Sequence, residues 1–112
     1  MNTILEAQGR VEWWLYTVSH GQLLLRRPKN PAHPRRLDIL FKDVGEAHVV
    51  PYFDNLRVLE VRPGDAGFEI AATGRRKLFR LVGENAVGHV VAGAVVHAED
   101  DLEYDEPSSL LA

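Results

Sequence analysis

The chain has 112 residues, enough for one hydrophobic core and too few for two, and its 46% hydrophobic and 26% charged residues exclude an intrinsically disordered protein. It contains no cysteine, which excludes a disulfide framework, thiolate metal sites and cysteine nucleophiles. The net charge of −3 is unevenly spread: residues 99–106 carry six acids and no base, so the body holds thirteen bases against ten acids and is mildly basic.

Met1 to Gly9 has neither a basic start nor an apolar stretch suited to export, and no apolar run approaches the roughly 18 residues of a membrane helix. A cytoplasmic protein without membrane contact is expected. Arginine outnumbers lysine ten to three, which fits a GC-rich bacterial genome by association. Val11 to Val18 then reads as a strand, with Val11, Trp13 and Leu15 on one face and Trp14, Tyr16 and Val18 on the other. Ser19-His20-Gly21 is a short loop whose glycine can take the positive φ of a hairpin connection, so Gln22 to Arg27 should pair antiparallel with the first strand.

Arg26 to Arg36 (Arg-Arg-Pro-Lys-Asn-Pro-Ala-His-Pro-Arg-Arg) is the most distinctive segment. Prolines at every third position fall on one edge of a polyproline II helix, so the segment from Pro28 to Pro34 is a stiff spacer that spans about 19 Å. Its charge is not accounted for by that role. Pro31 to Arg36 also matches a Pro-x-x-Pro-x-Arg ligand form, although a rigid crossover explains the same prolines more economically.

Further strands are predicted at Arg36 to Lys42, where Leu37, Ile39 and Phe41 alternate with polar residues, and at Gly45 to Val50, Leu56 to Arg62, Gly67 to Thr73, Lys77 to Val82 and Val87 to Ala98. Pro51 to Asn55 fits either a short helical turn or an irregular crossover. Turns are expected at Pro63 to Gly67, Thr73 to Arg75 and Gly83 to Asn85. Val87 to Ala98 is apolar on both faces, as a central or covered strand would be, and Gly93 would let it bend. The expected architecture is all-β, with seven to eight antiparallel strands in a meander-rich sandwich or small, partly open barrel over residues 1–98, and an acidic flexible tail over residues 99–112.

Chemistry-bearing patterns are sparse. Five histidines include no His-x-His or His-x-x-x-His pair, and His89 and His97, which share strand parity, would lie about 26 Å apart on a straight strand. Neither a metal site nor a cofactor is expected. Glu60 and Glu69 could face each other across the Pro63 turn, but cross-strand ion pairs on a wet sheet face explain them as well. No catalytic constellation is identified.

Nine of the thirteen bases fall in two clusters, Arg26, Arg27, Lys29, Arg35 and Arg36, and Arg75, Arg76, Lys77 and Arg80. The function expected is therefore binding: a small non-catalytic protein-interaction domain that acts through the basic proline-containing loop and the acidic tail. The partner-binding residues are Arg26, Arg27, Lys29, Arg35, Arg36, Arg75, Arg76 and Lys77. Tail and loop are expected to meet in trans within a homodimer. One alternative is a barrel that binds a small apolar or anionic ligand against Trp13, Trp14 and Tyr16. Another is weak nucleic-acid binding, which ranks lower because the body is only mildly basic and requires both clusters at one end of the domain.

Overall fold

The computed structural model of the chain describes residues 1–66, 68 and 74–111. Among these are six strands: β1 (Asn2–Thr17), β2 (Gln22–Arg27), β3 (Arg36–His48), β4 (Tyr52–Val61), β5 (Lys77–Val82) and β6 (Val87–Asp100). No helix among the described residues is long and apolar enough to cross a membrane. The strands form a closed barrel in the order β1-β2-β3-β6-β5-β4, every pair antiparallel. Two three-stranded meanders, β1-β2-β3 and β4-β5-β6, are joined by the β1 to β4 and β3 to β6 ladders, which close the ring.

Among the described residues the ring has six strands where seven to eight were expected, for identifiable reasons. Arg36–Lys42 and Gly45–Val50 are not two strands but parts of one, β3, which bends at Asp43 (φ 55°) and shifts register on β6 between Val44 and Glu46. The αL conformation at Asp43 is one that aspartate tolerates better than most residues. Likewise, the strand expected at Val11 to Val18 is only the second half of β1, whose first half pairs with β4 past the left-handed Gly9 (φ 87°). The Pro51 to Asn55 crossover is extended from Tyr52 onward, and Asn55 (φ 52°) accepts the Gly9 N–H on its Oδ1 at 2.8 Å. The strand expected at Gly67 to Thr73 lies, Phe68 apart, outside the described residues. So does Glu69; Glu60 meets Arg62 and Lys77 at 3.4 and 3.9 Å.

Side chains from all six strands fill the interior, among them Val11, Leu25, Ile39, Leu56, Leu81 and Val90, all fully buried. Phe41 and Phe79 meet edge to face at 5.7 Å across it. Each such burial contributes about 1.5–3 kcal/mol. β6 looks apolar on both faces because its alternation changes phase: Val90 and Ala92 point inward before Gly93, and Val95 packs against the core after it. Gly93 sits opposite Asp43, where a Cβ would lie 3.1 Å from the aspartate Cβ, so the two strands bend together.

At Gly88 an added Cβ would collide with the His48 carbonyl oxygen of β3 and press on Phe53. Gly88→Ala is expected to cost about 1–3 kcal/mol as the ladder separates. Urea unfolding checks this as a lower midpoint at an unchanged slope.

Candidate functional site

The outer face of β2 and β3 carries an ionic cluster where an exposed sheet face would ordinarily be wet. Arg26 is paired with Asp38 in the ladder, so both side chains emerge on the same side, next to Leu24 and Leu40. All four are buried, Arg26 and Asp38 to within 1% exposure, and Arg36 at the start of β3 is 0% exposed. These residues cannot be covered by the barrel interior, which lies on the opposite side of the sheet. The cover is the C-terminal segment, which turns back after β6 and lays residues 103–107 across the arginines.

The contacts are specific. Arg26 grips Asp38 with two bonds, Nε to Oδ1 at 2.7 Å and Nη2 to Oδ2 at 3.1 Å, and donates Nη1 to the Tyr104 carbonyl at 2.7 Å. Arg36 donates Nη1 to the carbonyls of Glu103 and Glu106, both at 2.7 Å, and Nη2 to Asp100 Oδ2 at 3.1 Å and the Pro107 carbonyl at 3.3 Å. Its Nε lies 3.0 Å from Asp100 Oδ1 at an angle too poor for a hydrogen bond. Trp14, placed outward near the β1 bulge between Trp13 and Leu15, completes the wall: Arg26 lies 4.8 Å from its ring centre and Tyr104 meets it edge-on at 6.3 Å. Two buried cations are thus matched by Asp38, Asp100 and a row of main-chain oxygens, a necessary arrangement because an unpaired buried charge would cost several kcal/mol.

The acidic side chains do something different. Glu106 Oε2 accepts the Glu103 N–H at 2.6 Å and so shapes the tail's own turn. At the rim, Lys29 pairs with Glu103 at 2.8 Å and donates to the Asp101 carbonyl at 2.9 Å, while Arg35 lies 3.6 Å from Asp101 and donates to the Glu99 carbonyl. The hydrogen bond that Lys29 donates to the Glu103 carboxylate raises the Lys29 pKa. A raised folded-state pKa means that this pair contributes below the ordinary lysine range and is lost as pH rises through it. Such exposed pairs contribute little and are screened by salt.

Of the residues singled out from the sequence, Arg26, Lys29, Arg35 and Arg36 come together on the tail, and all of these contacts are made within one chain. Arg27 points to the other side of β2, buried near the barrel mouth, with Nη1 on the Gln8 carbonyl and Nη2 on that of Arg35. Its Nε has no hydrogen-bond partner among the described residues. The second basic cluster is elsewhere. Arg76 Nη2 pairs with Asp43 at 3.0 Å and its Nε donates to the Asp43 carbonyl, which is seven residues, about 23 Å, along β3 from Arg36. Lys77 reaches Glu60 at 3.9 Å and Arg75 is exposed. The two clusters therefore do not form one surface.

Trp14 packs outward against Arg26 and Tyr104, whereas Trp13 and Tyr16 lie on the other side of the sheet, paired in register with Leu25 and Leu23. Trp13 and Tyr16 are 48% and 40% exposed. A hollow of about 480 Å³ opens at the barrel mouth, lined by Glu6, Gln8, Arg27, His33, Arg35 and Glu99 with Pro34. Its acids and bases balance, unlike the apolar lining typical of small-molecule pockets.

The decisive sequence signals were Asp38 and Asp100, neither of which was singled out. Asp38 occupies a polar position in an otherwise apolar alternation, and two arginine pairs flanking a turn invite a search for its partners. A second group also escaped notice: Glu46, His48 and His89 converge on the outer face of β3 and β6, their ligand atoms all within 4.8 Å of one another. Finding it required the β3–β6 register, which sets His48 opposite His89.

Asp38→Ala is expected to lower stability by about 3–5 kcal/mol, because it strands Arg26 without its buried counter-charge. Lys29→Met should have a small effect that vanishes at high salt. Parallel denaturant titrations of the two variants at low and high ionic strength check the contrast. No family model, curated protein or solved structure matches this chain.

Proposed function

We propose that the chain is a non-catalytic protein-interaction domain whose binding face is the Trp14, Arg26, Arg36 and Asp38 surface, and whose own C-terminal segment occupies that face as an internal ligand. The observation that carries this reading is the kind of contact the buried arginines make with the tail. Their bonds to residues 103, 104, 106 and 107 all go to main-chain carbonyls, so they read an extended or turning backbone rather than particular side chains. A segment of similar shape from another protein can satisfy the same donors. Lys29 and Arg35 at the rim favour an acidic one, because in the tail they meet Glu103 and Asp101.

The partner is accordingly a protein that presents an acidic, extended segment, and a second copy of this chain, exchanging tails, is one such partner. Competition by the attached tail keeps outside affinity low until the tail is displaced, since a short tether holds it at an effective concentration in the millimolar range. Leu15, paired with Leu24 on the outer side of the sheet and 39% exposed, extends the face with an apolar contact.

A chain ending at Asp100 tests this, since every strand and ladder lies within residues 2–100. It should bind a labelled peptide of residues 101–112 saturably and more weakly at high salt, with the intact chain about tenfold or more weaker. Fluorescence anisotropy reads the binding and circular dichroism the fold. A folded, truncated chain that ignores the peptide rules the reading out.

A further inference from the structure

We propose that Glu46, His48 and His89 form a binding site for a late first-row divalent metal ion, Zn²⁺ or Cu²⁺, on the outer face of the β3–β6 ladder. Residues two apart on a strand share a face, so Glu46 and His48 emerge together from the end of β3, and the register brings His89 of β6 directly opposite His48. The imidazoles stack at 4.5 Å with 26° between their planes. Both turn Nε2 toward the same carboxylate oxygen, Glu46 Oε2, at 3.0 Å from His89 and 3.7 Å from His48.

Those distances match what a metal requires. Zinc holds nitrogen and oxygen ligands at about 2.0–2.2 Å, which in a tetrahedron separates ligand atoms by about 3.4 Å. The two separations from Glu46 bracket that value and all three ligand atoms lie within 4.8 Å of one another, so an ion can enter the triangle once the stacked rings turn their Nε2 atoms toward it. Strand pairing fixes the backbone beneath all three residues, and the missing side chain at Gly88 leaves room for the His48 carbonyl beside it. Two imidazoles and one carboxylate suit zinc, copper or nickel and not magnesium or calcium, which prefer all-oxygen sets. Three protein ligands leave room for water in the remaining positions.

The site has features that limit its strength. His48 is 64% exposed and Glu46 50%. No described residue hydrogen-bonds the Nδ1 of either ring, the contact that ordinarily fixes a ligating histidine. Arg80 of β5 is the register neighbour of His89 and adds a positive charge nearby, though its Nη1 lies against Met1 Sδ at 3.8 Å. Binding in the micromolar rather than the nanomolar range follows from these.

The test uses the intact, untagged chain. Calorimetric titration with Zn²⁺ and Cu²⁺ should give one saturable site. Nuclear magnetic resonance should place the perturbed signals at residues 46–48 and 88–90, with His20, His33 and His97 unmoved at one equivalent. His48→Ala and His89→Ala, both at surface positions, should each weaken binding by about tenfold or more, with Mg²⁺ causing no shifts. The inference is overturned if no saturable binding occurs below about 1 mM metal, or if the double variant binds as tightly as the native chain. Equal response to Mg²⁺ would overturn it too, since that marks a diffuse acidic surface.

Discussion

The structure turns on the burial of two guanidinium groups on the outside of a barrel. Arg26 and Arg36 lie on a sheet face that would be solvated if the chain ended with β6, and their charges are tolerable there only because Asp38, Asp100 and the carbonyls of the returning segment supply acceptors. Taking such cations out of water is costly and is offset only when nearly every donor finds a partner. The C-terminal segment is thereby committed to a path: its turn at residues 103–106, closed by Glu106 on the Glu103 N–H, presents the carbonyls that the arginines require. Specificity of conformation rather than net stability is the natural gain from such a cluster, because an apolar replacement of the same shape could pack as well.

Much of the fold was legible in the sequence, and the misreadings have specific causes. Gln22–Arg27 and Lys77–Val82 are legible with their observed boundaries because turn and proline residues flank them. The long strands were harder. β1 and β3 both contain a residue in the left-handed region, Gly9 and Asp43, and each interruption resets the period-two pattern that reveals a strand. Asp43 in particular looks like the end of one strand and serves as a bend within another.

The charged residues show the same division. That Arg26 to Arg36 and the acidic end belong together was apparent from opposite charge, and the contact does form. Its chemistry was not apparent, since charge counting suggests guanidinium to carboxylate pairing while the buried arginines mostly take main-chain oxygen from the tail. Histidine spacing failed for a related reason. A search along one strand excluded His89 with His97, yet the relevant neighbour of His89 lies across the ladder, forty-one positions away in His48. Local spacing reports on helices and turns; in a closed sheet the meaningful neighbours are set by register.

Ring closure has one more consequence. Each of the six strands is hydrogen-bonded to a neighbour on both sides over at least part of its length, so among the described residues no strand is a bare sheet edge from end to end. Pairing of a neighbouring molecule along a whole strand is thereby opposed, even though the hairpin carries exposed aromatic and branched residues of the kind that drive amyloid-like stacking. Stacking along a full strand requires a ladder to open first, so the β1–β4 and β3–β6 seams that close the ring also stand against that route.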